Sequence, residues 1–165
     1  MKMSEALESA INKQINAEMY SSYLYLSMAA YLESENYKGM AQWMHAQAHE
    51  ENTHARKFYG YVFERDGRVI LDAIDKPPSD WDSVQAIFED ALKHEQKVTA
   101  MIGKLADQAD KDGDRAAAIF LQWFINEQVE EESTVKEIVD RMKMFGNVPQ
   151  ALYMLDRELG QRGQA

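Results

Sequence analysis

Four stretches of this chain, each of about 25–30 residues, repeat apolar residues at helical spacing with almost nothing to interrupt them. The first, about Ser4 to Glu33, carries Leu7, Ile11, Ile15, Tyr25, Ala29 and Leu32 on one face. The second, Lys38 to Arg65, carries Met40, Met44, Ala55, Phe58 and Val62. The third, Trp81 to Asp110, carries Val84, Phe88, Leu92, Thr99, Ile102 and Ala106. The fourth, Asp114 to Phe145, carries Phe120, Phe124, Val135, Ile138 and Met142. Breaks fall at Ser34–Asn36, Asp66-Gly67, Pro77-Pro78, Asp112-Gly113-Asp114 and Gly146-Asn147-Val148-Pro149. A short fifth segment, about 149–160, keeps Leu152, Leu155 and Leu159 in phase. No segment alternates with period two, so the fold class is all-α.

The connections select the topology. Helices of this length run roughly 40–45 Å at ~1.5 Å per residue. About three residues join the first to the second and the third to the fourth, so each pair is an antiparallel hairpin. The second-to-third connection, Asp66 to Asp80, has 15 residues including Pro77-Pro78. At ~3.3 Å per residue it reaches about 50 Å, the full length of a bundle. A hairpin needs no such loop. The expectation is one domain over 1–165: a four-helix bundle at about 4–145 with one long crossover, plus a short C-terminal helix.

Composition removes most other classes. Asp and Glu number 28 against 18 Lys and Arg, giving a net charge of −10, which opposes binding to nucleic acid or to an anionic membrane surface. Cysteine is absent, excluding disulfides, zinc knuckles and thiol catalysis. The longest apolar run, Ala116 to Leu121, is far short of the ~20 residues that span a bilayer. The N-terminus carries Glu5 and Glu8 with no apolar run, so a cytoplasmic protein is expected.

The informative anomaly is acid inside the stripes. Glu18 is in phase with Ile11, Ile15 and Tyr25, and Glu51 with Met44, Ala55 and Phe58. Glu95 lies among Phe88, Leu92, Thr99 and Ile102, while Glu127 and Glu131 interrupt the run from Phe124 to Ile138. Burying an unpaired carboxylate costs several kcal/mol even after relaxation, against a net domain stability of about 5–15 kcal/mol. These groups must be protonated, paired or bound to a cation. Few basic residues share the stripes, which favours a metal.

The spacing sharpens the case. Glu51-Asn52-Thr53-His54 is an E-x-x-H, with an oxygen and an imidazole on adjacent turns and His54 at the margin of the stripe. A shift of 77 residues maps Glu18 onto Glu95, Glu50 onto Glu127, Glu51 onto Gln128 and His54 onto Glu131. The chain is two hairpins on one template, each supplying half a site, the arrangement of di-iron carboxylate bundles. Carboxylate and imidazole without thiolate suit iron or manganese better than structural zinc. Taken alone, the acidic run Glu127 to Glu132 is a solvated face and a single E-x-x-H is weak; together with the symmetry they are specific. His45, His49 and His94 read as surface or boundary residues, the ten methionines as core filler, and Tyr20, Tyr23 and Tyr31 as packing or interface residues.

Several stretches carry a family resemblance. They are Gln14-Ile15-Asn16-Ala17-Glu18, Tyr23-Leu24-Tyr25-Leu26-Ser27-Met28, Glu50-Glu51-Asn52-Thr53-His54-Ala55, Lys76-Pro77-Pro78, His94-Glu95, and Phe120-Leu121-Gln122-Trp123-Phe124 leading into Glu127-Gln128-Val129-Glu130-Glu131-Glu132. Over nearly its whole length the chain resembles the non-haem ferritins of bacteria and archaea. The resemblance implies the ferritin-like four-helix bundle with its fifth helix, iron storage, and a ferroxidase centre within each subunit using oxygen or peroxide. One iron is then held by Glu18 and His54, the second by Glu95 and Glu131, with Glu51 bridging. Gln128 acts behind the ligands or through a bound water or oxygen species. A weaker third iron site uses Glu50, Glu127, Glu130 and Glu131, and Tyr25 and Trp123 are electron donors beside the centre. The resemblance further implies self-assembly into a hollow homo-oligomeric shell, usually of twenty-four subunits; the charge and the short apolar runs leave no nucleic-acid or membrane partner expected. The near runner-up is a haem-free bacterioferritin-like protein; no haem is expected, because bacterioferritin's haem-ligating methionine falls at Asn52, and its second E-x-x-H is here Gln128-x-x-Glu131. Rubrerythrins need a cysteine-rich tail, and mini-ferritins build their site between two subunits. From another class, the competing reading is a non-catalytic helical-bundle interaction protein.

Overall fold

The computed structural model describes residues 2–146 and 148–162. Five helices follow in order: α1 Glu5–Ser34, α2 Lys38–Glu64, α3 Val84–Lys111, α4 Arg115–Phe145 and α5 Pro149–Leu159. Local chemistry sets most of their ends. Ser4, Ser83 and Asp114 cap α1, α3 and α4 by accepting the amides of Leu7, Ala86 and Ala117. Asn36 (φ 66°) closes the α1–α2 turn and Gly113 (φ 63°) the α3–α4 turn in the left-handed region. The third helix starts at Val84 rather than at Trp81. The Ser83 cap fixes that start, while Trp81 stays in the crossover, packed edge-on against Tyr31 with its indole N–H donating to Asp90. None of the described helices is long and apolar enough to cross a membrane.

The crossover spans the bundle as its length requires, strapped along α1. The Arg68 amide donates to Glu8, Ile70 to Asn12, and Asn16 donates to the carbonyls of Asp72 and Ala73. Farther along, Ser27 donates to Pro78 O and Tyr31 to Trp81 O. The chain thus re-enters at the far end, and α3 runs antiparallel to α1. Helix α5 rests on α2, where Asp156 accepts the Met40 amide and supplies the cap that Tyr37 lacks.

The apolar interior is divided. One cluster holds Tyr25, Met28, Leu32, Met44, Phe88, Val135 and Met142. The other holds Leu7, Ile11, Ile15, Phe58, Ile102, Leu121 and Phe124. Between Ile15 and Tyr25 on α1 lies Glu18, and Glu51, Glu95 and Glu131 occupy the equivalent level on the other three helices. Two stripe assignments shift. On α3 the buried face runs through Ile87, Ala91, Val98, Leu105 and Ala109, leaving Leu92, Thr99 and Ala106 half-buried, because that side of α3 borders α4 and keeps a polar contact there. Phe120 is half-buried too, stacked on Tyr61 at 3.8 Å between ring centroids.

The α2–α5 contact depends on a close approach. A Cβ at Gly39 would stand 1.8 Å from the Asp156 carbonyl oxygen, so no side chain fits. We expect Gly39→Ala to lift α5 off α2 while the four long helices persist. Hydrogen exchange should then speed up at 150–159 and at the Met40 amide; native protection in the variant would show that α5 is held by other contacts.

Candidate metal centre

The polar layer is buried on all four long helices. Glu95 is 0% exposed, Glu18 and Glu51 1%, His54 3% and Glu131 6%. His54 is therefore inside the core and not at its margin: α4 covers it with Trp123 and Phe124, ring centroids 5.4 and 6.0 Å away.

Two groups of ligand atoms form, each with its atoms within 4.8 Å of one another. Glu18, Glu51 and His54 make the first, all buried; Glu50, His54, Glu127 and Glu131 make the second, with Glu50 and Glu127 half-buried. His54 belongs to both, so the two groups are continuous. Glu130 is exposed and lies outside them. Glu95 lies outside both groups: buried at the same level, it accepts from Tyr25 and Gln128, and its charge bears on Glu51 and Glu131.

Neutral side chains aim these carboxylates. Gln14, one helical turn before Glu18, donates to its Oε1 at 2.7 Å. Gln47, one turn before Glu51, reaches across to α4 and donates to Glu131 Oε2 at 2.5 Å. Gln128 donates to Glu95 Oε2 at 3.2 Å and to Thr99, whose hydroxyl in turn donates to Glu132 at 2.5 Å. The Tyr25 hydroxyl donates to Glu95 Oε1. Sequence reasoning missed Gln14, Gln47 and Thr99. A signal existed for the first two: each glutamine stands in an apolar stripe four residues before a stripe glutamate.

Two oxygens are left over. Among the described residues, Glu18 Oε2 and Glu51 Oε1 are the buried side-chain atoms with no hydrogen-bond partner. An unsatisfied buried acceptor costs on the order of 1–3 kcal/mol, more when charged, so two on carboxylates of one ligand group ask for a cation. The protonation energetics agree. Burial, then Glu51, pushes the Glu18 carboxyl well above its ordinary range. Burial, then Glu95 and Glu131, does the same for Glu51. Glu95 is raised by burial against the opposing bonds from Tyr25 and Gln128, and Glu131 is pushed up to about 8 by burial, Glu95 and Glu50. His94 sits at the boundary, bonded to Ser21 Oγ at 2.7 Å and edge-on to Tyr25; burial lowers it to about 4, so it is neutral. His45 and His49 are exposed.

The family model described as a ferritin-like domain matches residues 8–145. The chain belongs to the ferritin family. Among its relatives, a bacterial non-heme ferritin of Bacteroides fragilis is 42% identical over 160 residues, covering 97% of this chain and 99% of that protein. One from Staphylococcus epidermidis is 38% identical over the same 97%, covering 96% of its own length. A crystal structure of an open pore ferritin from the hyperthermophilic archaeon Archaeoglobus fulgidus superposes with a TM-score of 0.96 at 48% identity, covering 97% of this chain and 98% of that one. A form of the Archaeoglobus ferritin engineered to be closed gives 0.96 at 47% identity, with 98% of each chain covered.

In this ferritin the raised carboxyls invert the usual pH response. A group with a folded pKa above its unfolded value contributes stability below the unfolded value, and that contribution is lost as pH rises through the folded one. For Glu131 the window runs from the ordinary 4.5 to about 8. Asp112, Asp114 and Glu158 are lowered, chiefly by hydrogen bonds from Ser4, Arg65 and Arg141, and His94 by burial, so they act oppositely and lose stability in acid. Within the window only His94, from its ordinary 6.5 downward, offsets part of the loss from the four carboxyls. Metal-free protein should melt highest near pH 5 and progressively lower toward pH 8. Glu131→Gln should raise the metal-free melting temperature at pH 7.5 by roughly 2–8 °C, equivalent to ~1–2 kcal/mol, and flatten that slope. A wild-type melting curve that climbs steadily from pH 5 to 8 would contradict the assignment.

Proposed function

We propose that this iron-storage ferritin oxidises Fe(II) to Fe(III) at a di-iron centre within each subunit and passes the product into the cavity of a shell of twenty-four copies. Glu18 and His54 hold the first ion, Glu95 and Glu131 the second, and Glu51 bridges. The observation that carries this reading is a partnerless buried oxygen on each of Glu18 and Glu51, two residues whose ligand atoms gather with His54 within 4.8 Å. The bridging role fits the position of Glu51, which shares a ligand group with Glu18 and His54 and feels the charges of Glu95 and Glu131.

Each Fe(II) gives up one electron, and the pair reduces dioxygen or peroxide by two. The carboxylates favour the harder, more highly charged Fe(III) and so lower the reduction potential. Gln128 holds Glu95 from behind. A third site, occupied more weakly, is built on Glu50, Glu127 and Glu131, with Glu130 beside them on the outer side of α4. Of the two aromatics beside the centre, Tyr25 is the better electron donor. Its hydroxyl already points at Glu95, which can take the proton as the electron leaves. The Lys57 ammonium stands 3.7 Å over the Trp123 ring and opposes the positive charge that oxidation would place there. The fold and charge fit a cytoplasmic protein.

Anaerobic Fe(II) titration followed by oxidant tests the reading. About two ions should bind tightly per chain and oxidise rapidly on mixing. Glu51→Gln should weaken both ions together, whereas loss of only one would make Glu51 a terminal ligand. Absence of saturable binding would leave a non-catalytic helical bundle. Zn(II), redox-inert, should raise the melting temperature of the wild type, because a ligand bound by the native state alone stabilises it by mass action. An unchanged melting temperature at saturating Zn(II) would argue against any site in the bundle core.

A further inference from the structure

Beyond α5 the chain turns back along α2 and delivers one cation to the acid cluster. Arg162 donates through Nη2 to Glu50 Oε2 at 2.7 Å and through Nη1 to Gln47 Oε1 at 2.6 Å. Its guanidinium lies over the Trp43 ring, 4.7 Å from the centroid. Ion pair, amide and aromatic face together fix its position, with its side chain 29% and that of Glu50 35% exposed. The same Glu50 is a member of the ligand group with His54, Glu127 and Glu131, and Arg162 helps line the cleft of about 470 Å³ in front of it. The neighbouring charges in that cleft are Lys57 and Glu127.

We propose that the Arg162 guanidinium is a built-in competitor for the third cation site and sets its affinity. A carboxylate bonded through Oε2 to a fixed guanidinium offers less charge to an incoming ion, and a cation seated at Glu50 stands against a positive group held in contact with the same carboxylate. Entry of the ion therefore displaces Arg162 from Glu50 and frees the tail, whereas Glu18, Glu51 and Glu95 have no arginine to displace. Weak occupancy of the third site is then a property of the C-terminal tail and not of the ligands. The competition also selects by charge, because an ion of charge three displaces a singly charged guanidinium more readily than an ion of charge two. Gln47 keeps its separate bond to Glu131 through Nε2, so the di-iron centre does not depend on the displacement. The proposal rests on the third-site reading given above.

The test is calorimetric Zn(II) titration of the full-length assembled protein, wild type against Arg162→Gln and Arg162→Lys, with hydrogen exchange at Gly160–Arg162 as an independent readout. Arg162→Gln should tighten the third Zn(II) about fivefold, the equilibrium weight of one partly exposed charge-assisted pair, and leave the first two unchanged. Arg162→Lys, which keeps the charge but cannot bridge Gln47 and Glu50, should fall between. In the wild type, the third equivalent should speed exchange at the Gly160 and Arg162 amides, now bonded to Asp156 O and Leu159 O. Equal affinities in all three proteins, weaker binding in Arg162→Gln, or tail exchange indifferent to the third ion would each overturn the proposal. Two Zn(II) per chain and no third in every protein would overturn the third-site reading and the competition with it, leaving the di-iron reading intact.

Discussion

Mutual repulsion among four buried carboxyls is the constraint around which this molecule is arranged. Glu18, Glu51, Glu95 and Glu131 come from four different helices to one level, where burial raises the proton affinity of each and the charges of Glu51, Glu95 and Glu131 raise that of a neighbour further. Nothing in the apolar clusters above and below can neutralise them. The fold answers with neutral donors, a glutamine for Glu18, another for Glu131, and a phenol and an amide for Glu95. Those bonds orient the carboxylates without cancelling their charge. The site is thereby rigid and still short of positive charge, the condition under which a metal contributes most to stability.

Basic residues are kept at a distance consistent with this. Arg65, the buried arginine, is bonded to Asp114 and Tyr61 at the end of α2, away from the layer. Lys57 rests on the outer face of Trp123. Arg162 reaches the half-buried Glu50 at the edge of the acid cluster and stops there. An arginine one turn deeper would satisfy the partnerless oxygens permanently and close the centre to any ion.

Much of this was legible in the sequence because two periodicities coincide. Helical spacing of apolar residues placed four helices, and the phase of Glu18, Glu51, Glu95 and Glu131 within those stripes placed the site. A loop too long for a hairpin gave the crossover. What escaped depended on tertiary context. Trp81 continues the apolar phase of α3 but is claimed by Tyr31 and Asp90, so the helix waits for Ser83. Glu130 sits in the acidic stretch from Glu127 to Glu132, and only the rotation of α4 separates it from Glu127 and Glu131. Arg162 and Asp156 act more than 100 residues away from their partners on α2, and no local pattern announces such contacts.

The division of the hydrophobic interior has a consequence for alignment. A bundle with one continuous apolar seam tolerates sliding of a helix by a turn, since hydrocarbon meets hydrocarbon at either setting. Here a shift of one turn, ~5.4 Å, would carry a glutamate out of the polar level and into a layer of Leu, Ile and Phe side chains. It would also tear the glutamine or tyrosine contact that spans to the neighbouring helix. The carboxylate layer acts as a key that admits one vertical setting of the four helices, much as a single buried polar residue fixes the register of a coiled coil. Substituting all four glutamates by leucine would give a bundle more resistant to heat and less certain of its own alignment.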